Sequence, residues 1–193
     1  MKQKIANFIS IIGHPLLTIP IFIAIVMFAN ENAKKAFYIS FLIIGCVFVP
    51  IILRMYIKSK NGTYTNFDVS DKKQRKTLFI FIIPLLVIVT FILFKTHQNN
   101  NLCKTILFAT ILVFISQVVN LFIKSSLHVS LNIYLSFLVM TLNYKIGIIL
   151  FLFTGLLGWS RIVLGRHTLK EVLVGGAIGL SISLITLYIE GYL

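Results

Sequence analysis

The sequence is poor in charged residues, especially acidic ones, and in cysteine. Only 12% of its 193 residues are charged, while 58% are hydrophobic. A soluble domain needs more surface charge and a disordered chain has fewer apolar residues, so both classes are excluded. The two cysteines, Cys46 and Cys103, lie in or beside apolar runs, and we interpret them as small hydrophobic side chains rather than a disulfide framework.

The scarcity of acids leaves a large positive charge. Five Asp and Glu residues oppose 18 Lys and Arg residues, for a net charge of +13. In a soluble protein this excess suggests nucleic-acid binding, but no soluble segment remains here to carry it, so we expect no nucleic-acid partner. The charge must instead set the membrane topology, contact lipid headgroups or bind an anionic substrate.

Long apolar runs dominate the chain, and a spanning helix needs roughly 20 such residues. They cover about 8–29, 37–57, 77–94, 102–123 and 172–188. The region 129–159 is interrupted only by Asn143-Tyr144-Lys145, which is typical of a tight turn. We favour two short helices there, with a single helix as the alternative. The sequence thus predicts an all-α, polytopic membrane helical bundle with six to seven transmembrane helices in one domain, 1–193.

Two local features bear on how these spans pack. Pro15 and Pro20 lie inside the first span, and we expect them to kink it. Gly175 and Gly179 in the last span have the small-xxx-small spacing that allows helices to approach closely.

Three polar segments interrupt the apolar pattern, at 58–76, 124–128 and 160–171. With seven spans, all three fall on one face of the membrane together with the N-terminus. Ionisable residues at the ends of membrane helices are costly and indicate a functional site. The sequence therefore predicts that these segments meet.

The segment 160–171 has residues suited to phosphate chemistry. His167 and Glu171 are four positions apart and share a helix face if the last helix has begun by His167. A carboxylate beside an imidazole fixes its tautomer and raises its basicity, and the planar fork of Arg161 suits phosphate oxygens. The alternative is a basic cluster that contacts anionic headgroups.

The other two polar segments supply further candidates, each with a structural alternative. His128 is a candidate acid for a leaving oxygen, or a helix cap or headgroup contact. Ser126 is a candidate donor to phosphate, or a helix cap. Lys72 and Arg75 are candidate phosphate clamps, or topology signals. We interpret His14 as a packing or interface residue and His97 as a loop residue.

Metal ligands are scattered through the sequence. Its five acids and four histidines contain no close-spaced set such as His-Glu-x-x-His. We therefore predict no metal and no cofactor, with cations and hydrogen-bond donors of the protein binding the phosphate.

The polar segments resemble two motifs of the type 2 phosphatidic acid phosphatase superfamily. Ser160-Arg161, five residues, His167, three residues and Glu171 resemble its third motif, Ser-Arg-x5-His-x3-Asp, with Glu in place of Asp. Ser125-Ser126-Leu127-His128 resembles its second motif, Pro-Ser-Gly-His. The first motif, Lys-x6-Arg-Pro, is absent as written. The resemblance covers about 37–190 as a phosphatase-like core and leaves 8–29 as an extra N-terminal span.

The resemblance implies a metal-independent lipid phosphate phosphatase. His167 would be the nucleophile that forms a phosphohistidine, Glu171 its orienting acid, His128 the general acid, and Ser126 and Arg161 phosphate ligands. The substrate would be a membrane lipid: a prenyl diphosphate, a phosphatidyl phosphate or a glycolipid phosphate. The alternatives are a non-catalytic member of the fold, acting as a lipid-binding or assembly subunit, and a transporter, which the lack of repeats and paired half-helix breaks disfavours.

The side of the membrane on which the site lies stays open. The resemblance implies a bacterial inner membrane with the site on its outer side. However, 13 of the 18 basic residues lie on the face that carries the motifs, and the positive-inside rule would place that face in the cytoplasm.

Overall fold

The chain folds into a bundle of helices, as the sequence predicts. The computed structural model describes residues 1–69 and 71–193, and in these it contains nine α-helices and no strand. They are α1 (Lys2–Ile12), α2 (Pro15–Asn30), α3 (Ala33–Ile43), α4 (Val49–Lys60), α5 (Lys72–Lys95), α6 (Asn100–Phe122), α7 (Leu127–Leu142), α8 (Tyr144–Val163) and α9 (Leu169–Glu190). A π-helical turn, Ile44–Phe48, joins α3 to α4. The prediction of an all-α bundle is confirmed.

Six helical segments of the described residues are long and apolar enough to cross a membrane. They are Lys2–Asn30, Ala33–Lys60, α5, α6, α8 and α9. The region 129–159 forms the two helices that we favoured, because Asn143 ends α7 and its side chain then accepts a hydrogen bond from the Ile146 N–H, 3.2 Å away, to cap α8. Such a set of apolar helices is typical of a multi-pass membrane protein.

Helix α7 is the inner helix of the bundle. It has 16 residues, about 24 Å at 1.5 Å per residue, so it is short for a bilayer core. It packs against both α8 and α9, and every residue from His128 to Ser136 is buried. The first residues of this buried helix are those of the second predicted motif.

The first span is broken rather than kinked at its prolines. Helix α1 ends at Ile12, and Pro15 is the first residue of α2, where its missing N–H costs nothing. His14 caps α2, since its Nδ1 accepts a hydrogen bond from the Leu16 N–H at 3.2 Å. Pro20 lies within α2 without ending it. The kink expected at Pro15 is therefore a full helix break one residue earlier, because His14 offers the backbone a cap.

The ends of the polar segments meet at one end of the bundle. The Ser126 N–H, just before α7, donates to the Glu171 carbonyl oxygen in α9 at 3.0 Å. The Lys124 ammonium donates to the Arg166 carbonyl oxygen at 2.6 Å. Asp68, in the first polar segment, accepts a hydrogen bond from Arg161 at 2.7 Å, so the predicted convergence of the three segments is observed.

Candidate active site

His167 and Glu171 form the centre of the candidate site. His167 Nδ1 lies 2.9 Å from Glu171 Oε2, and the histidine is 8% exposed. With the ring neutral, Nδ1–H donates to the carboxylate, and Nε2 is left with a free lone pair. This is the form that an imidazole nucleophile requires.

The contact between His167 and Glu171 arises differently from our expectation. Helix α9 begins at Leu169 and not by His167, so the two residues do not share a helix face. Instead Thr168 is the N-cap of α9, and it forms a capping box with Glu171. The Glu171 N–H donates to the Thr168 hydroxyl oxygen at 3.3 Å, and the Thr168 N–H donates to Glu171 Oε2 at 3.2 Å. The box bends the carboxylate back over the helix start, where it also reaches His167.

The surroundings of His167 favour its neutral form. Burial, followed by the positive charges of Arg75, Lys124 and Arg161, lowers the pKa of His167 well below its ordinary value. Lys124 also lies 3.7 Å from Glu171 Oε2, so it shares the carboxylate with the histidine. The imidazole therefore stays uncharged at neutral pH.

A cavity of about 140 Å³ joins the predicted site residues. Its polar end is formed by His14, Asp68, Arg75, His128, Arg161 and His167, and its remaining walls are mostly apolar. Glu171 lies behind His167 and not in the lining. The structure thus places two guanidinium groups, one carboxylate and three histidines at one end of a cavity whose other walls are mostly apolar.

Several buried donors at this polar end have no partner among the described residues. They include Arg75 Nη1, Arg161 Nε and His128 Nε2. Arg75 is 6% exposed, and no carboxylate of the described chain forms an ion pair with it. Unpaired buried donors and charges are costly, so this cluster is suited to an anion.

Two predicted phosphate ligands do not line the cavity. Lys72 is exposed, and its ammonium donates to the Leu121 and Phe122 carbonyl oxygens at 3.1 and 3.2 Å, at the C-terminal end of α6. Ser126 is fully buried outside the cavity lining, although its Oγ has no partner among the described residues. The structure therefore groups Arg75 and Arg161 with the histidines and places Lys72 at the surface, while Ser126 lies beside this group without lining the cavity.

The site also contains two residues that our sequence reasoning did not select. Asp68, from the loop between α4 and α5, accepts a hydrogen bond from Arg161 Nη1 at 2.7 Å on Oδ2. Its Oδ1 lies 3.3 Å from His14 Nε2. Burial by itself would raise the pKa of Asp68, but the contacts with His14 and Arg161 lower it well below its usual range. His14, interpreted above as a packing residue, has its ring centroid 4.6 Å from that of His128.

A metal ion is one possible occupant of this group. The ligand atoms of His14, Asp68 and His128 lie within 4.8 Å of one another. However, His14 Nδ1 accepts the Leu16 N–H, so the proton of the neutral ring is on Nε2, the atom that would have to bind the metal. The positively charged Arg161 already forms an ion pair with Asp68, which disfavours a cation at the same carboxylate. The proton on His14 Nε2 and the hydrogen bond from Arg161 to Asp68 therefore disfavour a metal centre, and the distance of the three residues in sequence explains why no ligand motif was visible.

Comparison of the chain with protein-family models, with curated proteins and with solved structures found no match. The function must therefore be inferred from the residues of the site.

Proposed function

We propose that the protein is an integral membrane phosphatase that hydrolyses a phosphate monoester or diphosphate of a lipid through a phosphohistidine, without a metal. One observation carries the proposal. A neutral, carboxylate-oriented His167 lies with the unpartnered donors of Arg75 and Arg161 at the polar end of an otherwise apolar cavity.

The residues can be assigned to the steps of this reaction. Before substrate binds, His128 is neutral, because burial and the charge of Arg161 lower its pKa, and it takes up a proton when the phosphate anion binds beside it. His167 Nε2 attacks phosphorus, forming a P–N bond while the bond to the leaving oxygen breaks, and the protonated His128 gives that oxygen its proton. Water then attacks the phosphohistidine, the P–N bond breaks and phosphate is released, while His128 takes up a proton from the water. Arg75 and Arg161 stabilise the charge on the phosphoryl oxygens.

The proposal includes the setting of the enzyme. The lipid substrate would place its phosphate at the polar end of the cavity and its hydrocarbon among the apolar walls. The whole chain would be one membrane domain of a bacterial inner membrane.

A substrate panel tests the proposal. Full-length protein in detergent, with a chelator present, is assayed for phosphate release from a prenyl diphosphate, a phosphatidyl phosphate and a glycolipid phosphate. We expect the wild type to release phosphate from at least one of them and His167→Ala to release none. His97→Ala is the matched control, because His97 is exposed in the loop between α5 and α6. Full activity of His167→Ala would refute the mechanism.

A non-catalytic lipid-binding or assembly role is the second candidate, and one observation favours it. The Ser126 N–H is committed to the Glu171 carbonyl oxygen, and Leu127 stands where the resembling motif has Gly, so the Ser126 N–H is not available to phosphate. Absence of turnover on all three lipids, together with a protein that co-purifies, would support this role.

A further inference from the structure

The guanidinium of Arg161 is held on one edge by two residues far away in sequence. Arg161 lies in the last turn of α8 and is 1% exposed. Its Nη1 donates to Ser10 Oγ in α1 and to Asp68 Oδ2, each at 2.7 Å. Its Nε, on another edge, is buried and has no partner among the described residues. The protein thus fixes one edge and leaves another edge available for an anion.

Asp68 also contacts His14. His14 Nε2 lies 3.3 Å from Asp68 Oδ1, within ion-pair distance but outside hydrogen-bond geometry. The residue after Asp68, Val69, is fully buried and anchors this part of the loop. The carboxylate therefore has one oxygen directed at Arg161 and the other at His14.

Contacts with α7 and α8 hold the break between α1 and α2 next to the site. The Gly13 carbonyl oxygen accepts a hydrogen bond from Asn132 Nδ2 at 2.9 Å, one turn after His128 in α7. A Cβ on Gly13 would lie 2.8 Å from a methyl carbon of Leu157 in α8, so the chain passes close to that helix. These contacts place Ser10 and His14 beside the end of α8 and the start of α7.

We propose that the first membrane segment completes the active site: Ser10 and His14, the latter through Asp68, hold Arg161 so that its Nε edge faces the substrate phosphate. This rests on the proposed function. Ser10, His14 and Asp68 are positioning residues, since they act through Arg161. The N-terminal span, which the sequence resemblance leaves outside the phosphatase-like core, is then required for phosphate binding.

Three variants test the proposal by binding of orthovanadate, a probe of the phosphate site alone, to full-length protein in detergent. Ser10→Ala removes one hydrogen bond to a charged group, and we expect the dissociation constant of vanadate to rise about tenfold. Asp68→Asn should raise it at least as much. His14→Asn should raise it with little change in Tm, because Asn still caps α2 but is too short to reach Asp68.

A double-mutant cycle separates positioning from general stability. In an Arg161→Lys background, which keeps a cation opposite Asp68, Ser10→Ala should have almost no further effect on vanadate binding. The matched control is Ser40→Ala, because Ser40 is a buried serine of α3 outside the cavity lining, and it should leave vanadate binding unchanged. An equal loss in both backgrounds, or no difference between Ser10→Ala and Ser40→Ala, would overturn the proposal.

The outcomes also distinguish this proposal from the proposed function. If the wild type binds vanadate but hydrolyses none of the three lipids, the phosphatase function fails and the cycle still decides the role of the first segment. If the wild type hydrolyses a lipid but the three variants behave like Ser40→Ala, only the role of the first segment fails. If the wild type binds neither vanadate nor inorganic phosphate, both are wrong.

Discussion

Gly175 of α9 lies directly against the backbone of Ser126, at the start of α7. A Cβ on Gly175 would be 2.5 Å from the Ser126 carbonyl oxygen and 2.9 Å from its nitrogen. The Ser126 N–H also donates to the Glu171 carbonyl oxygen, one turn earlier in α9. The missing side chain at Gly175 therefore sets the distance between the helices that carry His128 and Glu171.

Gly175→Ala should push these two helices apart. Since the contact is with backbone and not with a flexible side chain, we expect a loss of about 1–3 kcal/mol in the free energy of unfolding, with a fall in activity. Gly176→Ala is the control: its nearest neighbour would be an Ile133 methyl carbon at 3.8 Å, so the better helix propensity of Ala should make it neutral or stabilising. Thermal unfolding in detergent compares them, and equal Tm values would contradict the role of Gly175.

Glu171 takes part in the cap of α9 and has a second, proposed role in catalysis, and substitutions should separate the two. Glu171→Gln keeps an oxygen for the Thr168 N–H and His167 Nδ1–H but loses the charge, so we expect kcat to fall about tenfold with little change in Tm. Glu171→Ala also removes the orientation of His167, so kcat should fall about 100-fold or more.

Thr168→Ala provides the complementary variant. It breaks the cap but leaves the carboxylate, so it should cost about 1 kcal/mol of stability and little activity. Thermal unfolding and steady-state kinetics, measured on Glu171→Gln, Glu171→Ala and Thr168→Ala, test whether the effect on the cap and the effect on catalysis are separate. A larger kcat loss for Thr168→Ala than for Glu171→Ala would show that the carboxylate acts only through the helix.

The pH dependence of kcat/KM should reflect the depressed pKa of His167. Activity is lost on the acid side as the nucleophile is protonated, and burial with nearby cations moves that limb well below pH 6.5. Lys124→Gln removes one of these cations and frees Glu171, so the pKa of His167 rises and the acid limb moves to higher pH. Lys170→Gln, at an exposed lysine in the first turn of α9, should leave the limb in place. A limb that stays fixed or moves to lower pH in Lys124→Gln would count against this assignment.

Substitutions of Arg75 and Lys72 should differ sharply in their effect on kcat/KM, although the two residues are close in sequence. Arg75 is buried at the polar end of the cavity with an unpartnered nitrogen, so Arg75→Gln should lower kcat/KM about 10- to 100-fold. Lys72 is exposed and bound to carbonyl oxygens of α6, so Lys72→Gln should change it less than about threefold. Kinetics with the best substrate of the panel provide the measurement, and a similar loss for both variants would mean that Lys72 also reaches the phosphate.

Much of the fold follows from local properties of the sequence. Apolar runs separated by polar turns predict the spans, because transfer of a contiguous helix into a bilayer depends on its own residues. The turn at Asn143 could be identified because it is a short polar interruption between two apolar runs. The break at Gly13–His14 was expected only as a kink, since a histidine that caps the following helix has no strong signal of its own.

The candidate site was only partly accessible from the sequence. His167, Glu171 and Arg161 lie within one short segment, so their spacing alone indicates that they act together. The shared helix face of His167 and Glu171 was expected only on the condition that α9 had begun by His167, and the spacing Thr168-x-x-Glu171 is a capping-box signal that places the start after it. His14 and Asp68 have no such signal, because their contacts with Arg161 and His128 join distant segments.

The sequence by itself determined that this chain is an all-α membrane bundle with a cationic, histidine-bearing face. Composition and periodicity act along the chain, and they are sufficient for that conclusion. Only the tertiary structure decided which cations meet the histidines. Helix packing around the short, buried α7 brings Arg75, Arg161, Ser10 and His14 together and leaves Lys72 at the surface, since packing depends on the shapes of helices that are far apart in sequence.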